Sequence, residues 1–406
     1  MIKATTLMAL ANKLQEEGVV GSTTDVEVSA NVHVTPEEQT KIDEAVTQVE
    51  EIATAGQEID ETIDEQEQTE EAEATLRAIV NNLKKYGSLN NQMYSFLQET
   101  GYLDAIAAYQ STQMNKVVYP AVETIAPNQL NKAYMDSIIA GCEGMLANAA
   151  KRVGEFLKKI WEKIVSIVQR IVAFFTANEK NIEARKDEVA KITVDVSNAK
   201  YPGSYCTLDN MTTIASAVKS ISPELVKAFN EFKNLKLMDK IKDVGAAMGG
   251  DEQAKSIRLA MSAIKEVGSN QYMISLKDLK IGGANTLGEA KLTTDALKNT
   301  AYQSAKECVG YAKSHGKLLN EIKSYASRMA KYAENVTQIA NATDTKGNTY
   351  GEEYTKAVRE FSGAYASAIG TVSKNVMLVA RSYMVACAAA LRRAGQGGDN
   401  NLPAVS

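Results

Sequence analysis

Two stretches near the C-terminal end carry the strongest pattern in the chain. Cys308, Tyr311, His315, Leu318, Ile322, Tyr325, Met329, Tyr332, Val336 and Ile339 follow one another at steps of three and four. That spacing lines one side of a helix and predicts a seam sustained over more than four heptads. A second seam runs Tyr354, Val358, Phe361, Tyr365, Ala368 and Val372 and continues toward Val379. The polar stretch between them, 341–351, is short, so the two helices are expected to fold back as an antiparallel hairpin about 50 Å long at 1.5 Å per residue.

The most hydrophobic stretch is 153–175. Phe156, Leu157, Ile160, Trp161, Ile164 and Val168 recur at helical spacing, with Lys158, Lys159, Lys163 and Arg170 on the other positions. An apolar face this wide is usually buried in a core. The same pattern, with cations beside Trp161, Phe174 and Phe175, also fits a helix lying on a membrane surface. Both readings stay open on sequence.

Elsewhere the pattern is weaker. Leu76, Ile79, Val80 and Leu83 begin a helical region with breaks near Gly87, Pro120 and Pro127. Residues 1–17 suggest a short amphipathic helix, and 25–34 alternate as a strand would. Thr35-Pro36-Glu37-Glu38 reads as a helix start, with Thr35 as cap and Pro36 in the first turn. Within 190–300, Ile192, Val194 and Val196 alternate, Tyr272–Leu276 looks like a second strand, and Ser222-Pro223-Glu224 reads as the start of a helix. The expected fold is mainly α: an elongated helical bundle with the C-terminal hairpin and a small α+β insert. The expected divisions are an acidic leader at 1–73, a helical region at 74–189, the insert at 190–300, the hairpin at 301–394 and a disordered tail at 395–406.

Charge changes this picture more than composition does. The whole chain of 406 residues carries −5. Residues 36–73 hold about 15 acidic residues against Lys41, a net near −14, and residues 1–35 add about −2. The remainder must therefore carry about +11. A run of this kind is ordinarily a solvated helix or tail, so its carboxylate pairs at 43–44, 60–61 and 64–65 are not expected to have shifted acidities.

Candidate chemistry is sparse. Two histidines, His33 and His315, and four dispersed cysteines supply no metal-binding spacing and no disulfide framework. There is no phosphate-binding glycine loop, no nucleophile elbow and no calcium loop. No enzyme activity and no cofactor are expected. No stretch is apolar for long enough to span a bilayer, and Met1–Leu10 does not read as a secretory signal, so synthesis in the cytoplasm is expected.

One short pattern recurs: Leu or Ile, any residue, then Glu. It occurs at Leu14-Gln15-Glu16, Ile42-Asp43-Glu44, Ile59-Asp60-Glu61 and Ile63-Asp64-Glu65 before residue 66, and again at Leu97–Glu99, Ile160–Glu162, Ile264–Glu266, Leu287–Glu289 and Leu319–Glu321. This tripeptide resembles the recognition pattern of the prohead proteases of large tailed bacteriophages. A small-residue variant used by some giant phages would match Gly56-Gln57-Glu58 and Ala121-Val122-Glu123. An acidic leader ahead of a basic helical body is similar to the internal head proteins of such phages.

The resemblance implies a structural protein of the capsid interior, made in the host cytoplasm, packaged in the prohead and clipped after Glu16, Glu44, Glu61 or Glu65. It implies capsid or core proteins, the protease and genomic DNA as partners, with ejection into the host as a later step. Removing a leader near −16 would unmask a basic body for non-specific phosphate contact. Lys158, Lys159, Trp161, Lys163 and Arg170 are the residues expected to meet DNA or a membrane. Two other readings remain: a membrane-active helical protein, such as a pore former, and a cytosolic coiled-coil scaffold.

Overall fold

A computed structural model describes residues 36–87, 89–99, 132–193, 201–202, 206–235, 251–279, 287–288, 293–340 and 351–398, together with Val196 and Leu237. Residues 41–406 form one compact unit and 1–40 another, of which only the first helical residues, 36–40, are described. The expected helix at 1–17, the strand at 25–34 and the breaks at Pro120 and Pro127 lie outside the described residues.

The fold is mainly α. The helices are α1 (Pro36–Tyr86), α2 (Asn91–Glu99), α3 (Lys132–Val189), α4 (Leu208–Lys233), α5 (Asp251–Ser269), α6 (Gln271–Lys277), α7 (Tyr302–Glu334), α8 (Val336–Ala340) and α9 (Gly351–Gly398). A π-helical turn, Ala296–Ala301, leads into α7. Gly87 closes α1: its φ of 64° lies in the left-handed region, and its amide donates to the carbonyl of Leu83.

Side-chain pairs fix the directions of the long helices. Tyr332 meets Thr355, Tyr311 meets Ser373 and Tyr302 meets Tyr383, so α7 and α9 run antiparallel. Lys186 lies over Tyr302, Lys313 pairs with Glu179, and Gly154 faces Ala333, so α7 also runs antiparallel to α3. α3 and α9 are therefore parallel, and Trp161 of α3 meets Ser362 and Tyr365 of α9.

α9 is the central helix. It is buried around most of its circumference from Tyr354 to Ala390, with Ala, Gly and Ser at many inner positions. Small side chains let several helices approach one axis. The two sequence seams point inward: every named member is buried except Leu318, which is half-buried.

The core decides the fate of 153–175. Trp161 is 0% exposed and sits among Phe232, Phe229, Tyr325 and Tyr365, with ring centroids 5.0 to 6.4 Å away. Its indole N–H donates to Ser362 Oγ at 2.9 Å. Ile160, Ile164, Ile167, Ile171 and Phe174 are buried alongside. In this structure the apolar face of the helix is covered by α7, α9 and α4, as the core reading expects. Among the described residues no helix is long and apolar enough to cross a membrane.

The region 190–300 also differs from expectation. Tyr272–Leu276 is helical, in α6, capped by Asn270, whose side chain accepts the amide of Tyr272 at 2.9 Å. Only Met273 and Leu276 are buried there, a spacing of three, while Tyr272 and Ile274 are exposed. Over five residues such a segment satisfies both periods. α4 is capped by Thr207, whose Oγ1 accepts the amide of Asn210, and passes through Pro223 instead of starting there. The strands described are two residues each, Tyr201–Pro202 antiparallel to Leu287–Gly288. Of the expected strand at 192–196, Ile192 has no regular structure and Val194 lies outside the described residues. The buried residues of α4, α5 and α6 join the same core as α3, α7 and α9, so among the described residues this region has no core of its own. Helix α9 continues to Gly398, into the expected tail.

Candidate functional site

The feature with the clearest chemical character is the groove that receives the acidic helix. α1 runs unbroken through residue 73, so the acidic stretch and the segment that follows it share one helix. Its contacts step down both neighbours. Along α9, Gly56 approaches Gly370, Ile63 approaches Gly363, Glu70 pairs with Arg359 and Arg77 pairs with Glu352. Along α3, Glu58 pairs with Lys163 and Lys84 with Glu143. α1 is thus antiparallel to both and lies between them.

Apolar and small residues seat it. Ile59 is 0% exposed and belongs to the main core, packed near Gly370. Thr62 and Gln66 are buried on the same side, with the Thr62 hydroxyl donating to the Glu58 carbonyl. Further on, Leu76, Ile79, Val80 and Leu83 form a second cluster with Leu97, Ile138 and Cys142.

Charge holds it as well. Lys163 Nζ lies 2.9 Å from Glu58 Oε2. Arg359 Nε lies 2.6 Å from Glu70 Oε1, and its Nη1 is 3.9 Å from Glu73 Oε2. Arg359 is only 8% exposed, so this is a desolvated pairing rather than a surface one. The acidities follow. The hydrogen bond and charge of Lys163 hold Glu58 below the usual carboxylate range, with Lys159 and Arg170 adding to the effect. Burial pushes Glu73 up, against Arg359 and Arg77. Burial also pushes Asp60 up, against Lys277 and Lys374. Asp60 remains exposed, and the expectation that its acidity is unshifted is corrected.

Two clefts of about 650 Å³ flank the helix. The one toward α3 brings Glu65, Gln66 and Glu73 of α1 to Arg152, Glu155 and Lys159. The Gln66 Nε2 is buried there without a hydrogen-bond partner. The other, toward α9, gathers Asp64, Glu67 and Glu70 around Arg359.

The sequence-predicted residues fall into three groups. Lys158 and Lys159 are exposed, as are Glu61 and Glu65. Lys163 and Arg170 face the acidic helix, and Lys163 is bound to it. Trp161 is 0% exposed and enclosed in the core, so its side chain is not presented at the surface as its assignment required. Glu44 lies on α1, and Glu16 lies outside the described residues. The residue that sequence reasoning missed is Arg359. Nothing in the sequence sets it apart from the exposed Lys356 three residues earlier, so its burial becomes visible only in the fold.

Burial holds the cysteines and His315 of the body in their neutral forms. Cys142, Cys206 and Cys387 are buried and pushed up to about 12, and Cys308 is raised further. Burial pushes His315 down to about 4, which keeps it neutral.

The model of the phiKZ-like phage internal head proteins matches residues 41–394. No curated protein and no solved structure matches the chain.

Proposed function

This chain belongs to the phiKZ-like phage internal head proteins, and from that premise we propose that it is a structural protein of the capsid interior, shortened at its N-terminus upstream of the buried Ile59. In this reading the prohead protease acts after Glu16 or Glu44. The observation that carries it is the burial of Ile59 beside the Glu58–Lys163 pair. Glu61 and Glu65 are exposed, but they are flanked by buried Ile59, Thr62 and Gln66 on a helix held by two neighbours. A protease needs an extended, accessible backbone, which a packed helix denies.

This placement alters the charge argument. A cut after Glu44 leaves residues 45–406 with a net charge of about 0 by residue count. Reaching about +11 would require losing the whole acidic run to residue 73, including its packed part. Contact with genomic DNA would then come from local clusters such as Lys158 and Lys159, without sequence preference. The bundle, with α7 and α9 as its C-terminal hairpin, is the rigid part that packs with capsid or core proteins and is ejected with the genome.

Mass spectrometry of purified virions tests the reading. A mature N-terminus at residue 17 or 45 is expected. A terminus at residue 62 or 66 would overturn the upstream placement, and particles without the protein would overturn the function.

A further inference from the structure

Four cations of α3 lie on one line. Arg152, Lys159, Lys163 and Arg170 are spaced seven, four and seven residues apart, which keeps them within about 40° around a helix at 3.6 residues per turn. They span about 27 Å of rigid axis. Three of them lie against carboxylates of α1, with Glu155 of α3 in the same cleft, and Arg170 continues the line. Lys163 binds Glu58, whose acidity also registers Lys159 and Arg170. Arg152 and Lys159 share a cleft with Glu65 and Glu73. α1 therefore lays a row of negative charge, at helical spacing, along a row of positive charge.

We propose that this stripe is a binding surface for the phosphate backbone of duplex DNA, and that α1 is an internal strap that occupies it. The carboxylates of α1 stand where phosphates would stand. A regular line of anions is what four collinear cations on a stiff helix recognise, through charge and not through base edges. Resting on the capsid-interior reading for the nature of its partner, the strap would keep the protein off DNA until α1 is lifted, since a cut after Glu16 or Glu44 leaves Glu58, Glu70 and Glu73 in place. Its hold is partly electrostatic, through Glu58, Glu70 and Glu73, so DNA and α1 compete for Lys163 and its neighbours. Its apolar hold in this segment is modest: Ile59 is buried, and Ala55 and Ile63 are partly buried against the core.

The chain offers a place to lock it. A Cβ added at Gly56 would meet nothing within 4 Å, and one at Gly370 would lie 3.8 Å from the Gly56 Cα. That proximity suits a disulfide between Gly56→Cys and Gly370→Cys. The native cysteines are buried and would not compete.

The test uses the full-length chain and a fluorescent 40-base-pair duplex of arbitrary sequence, titrated at several salt concentrations. The variant Glu58→Gln, Glu70→Gln, Glu73→Gln should bind at least about tenfold more tightly than the parent chain, because the competing charge is gone. Adding Lys163→Gln and Arg170→Gln to it should flatten the logarithmic salt dependence by about 2. The oxidised cysteine pair placed in the released variant should return binding to the parent level, and reductant should restore it. Equal binding by parent and released variants overturns the strap. An unchanged salt slope after loss of the two cations overturns the stripe. Circular dichroism checks that each variant keeps its helix content, and the redox reversal within one folded sample reads the strap without comparing different folds. Absence of the protein from particles would sink the capsid reading and leave these binding results standing; a null binding result from a protein present in particles would sink the strap alone.

Discussion

Trp161 and Ser362, 201 residues apart in sequence, share a hydrogen bond of 2.9 Å from indole nitrogen to hydroxyl oxygen in the fully buried centre of the bundle. The same hydroxyl donates to the Val358 carbonyl at 2.7 Å. Ser362 thus satisfies the one polar atom of the largest side chain in the core. Replacing it with Ala leaves the indole N–H buried and unpaired, at a cost of about 1–3 kcal/mol. Urea unfolding should show that loss for Ser362→Ala and a smaller one for Ser373→Ala, whose bond to the Tyr311 hydroxyl is a longer 3.4 Å.

Arg359 should matter more to α1 than to the rest of the molecule. Arg359→Met would leave Glu73, 12% exposed, without its nearest cation, and would release Glu70. A loss of about 2–4 kcal/mol is expected for breaking such a pair from one side. Hydrogen exchange should rise in residues 54–75 and stay unchanged in α4 and α7. Uniform acceleration across all helices would contradict the assignment.

Acid should act through His315. Its Nδ1 donates to the Tyr311 carbonyl at 3.0 Å, while Nε2 is buried with no partner, so a second proton would sit on an unpaired buried atom. Its folded value is near 4 against 6.5 when exposed. The stability this contributes is complete above about pH 6.5 and is lost as pH falls toward 4, at up to about 1.4 kcal/mol per unit. Glu73, raised by burial, works in the opposite sense. His315→Leu should lose less stability than the parent chain between pH 6.5 and 4.5. Parallel pH profiles would refute the assignment.

Two glycines should respond with opposite signs. A Cβ at Gly154 would come 2.6 Å from the Ala333 carbonyl oxygen, where α3 and α7 cross, so Gly154→Ala should destabilise by about 1–3 kcal/mol. A Cβ at Gly144, on the exposed side of the same helix, meets nothing within 4 Å. Gly144→Ala should stabilise by about 0.4–1 kcal/mol through the lower entropy of the unfolded chain. Thermal melts of the two variants check both.

The chain makes some of this legible. Seams at three- and four-residue steps place Tyr332, Tyr365 and Val372 in the core because a helix has one period and a buried face must follow it. Short segments carry no such guarantee. Tyr272–Leu276 fits strand and helix alike, and its capping residue Asn270 together with the burial of Met273 and Leu276 decided for helix. Pro223 resembles a helix start, yet the helix begins fifteen residues earlier at Leu208.

What the sequence determined by itself is which faces are apolar, that the fold is mainly α, that the charge is divided near residue 73, and a resemblance to phage internal head proteins. What only the tertiary structure decided is what covers each face and where each charge finds its partner. Period and composition describe a residue's neighbours along the chain. Burial and Coulomb energy depend on neighbours in space, and Glu70 meets Arg359 across most of the chain's length. The acidic run therefore reads as a solvated leader along the sequence, and in the fold its second half is a packed helix lying over the cations of α3.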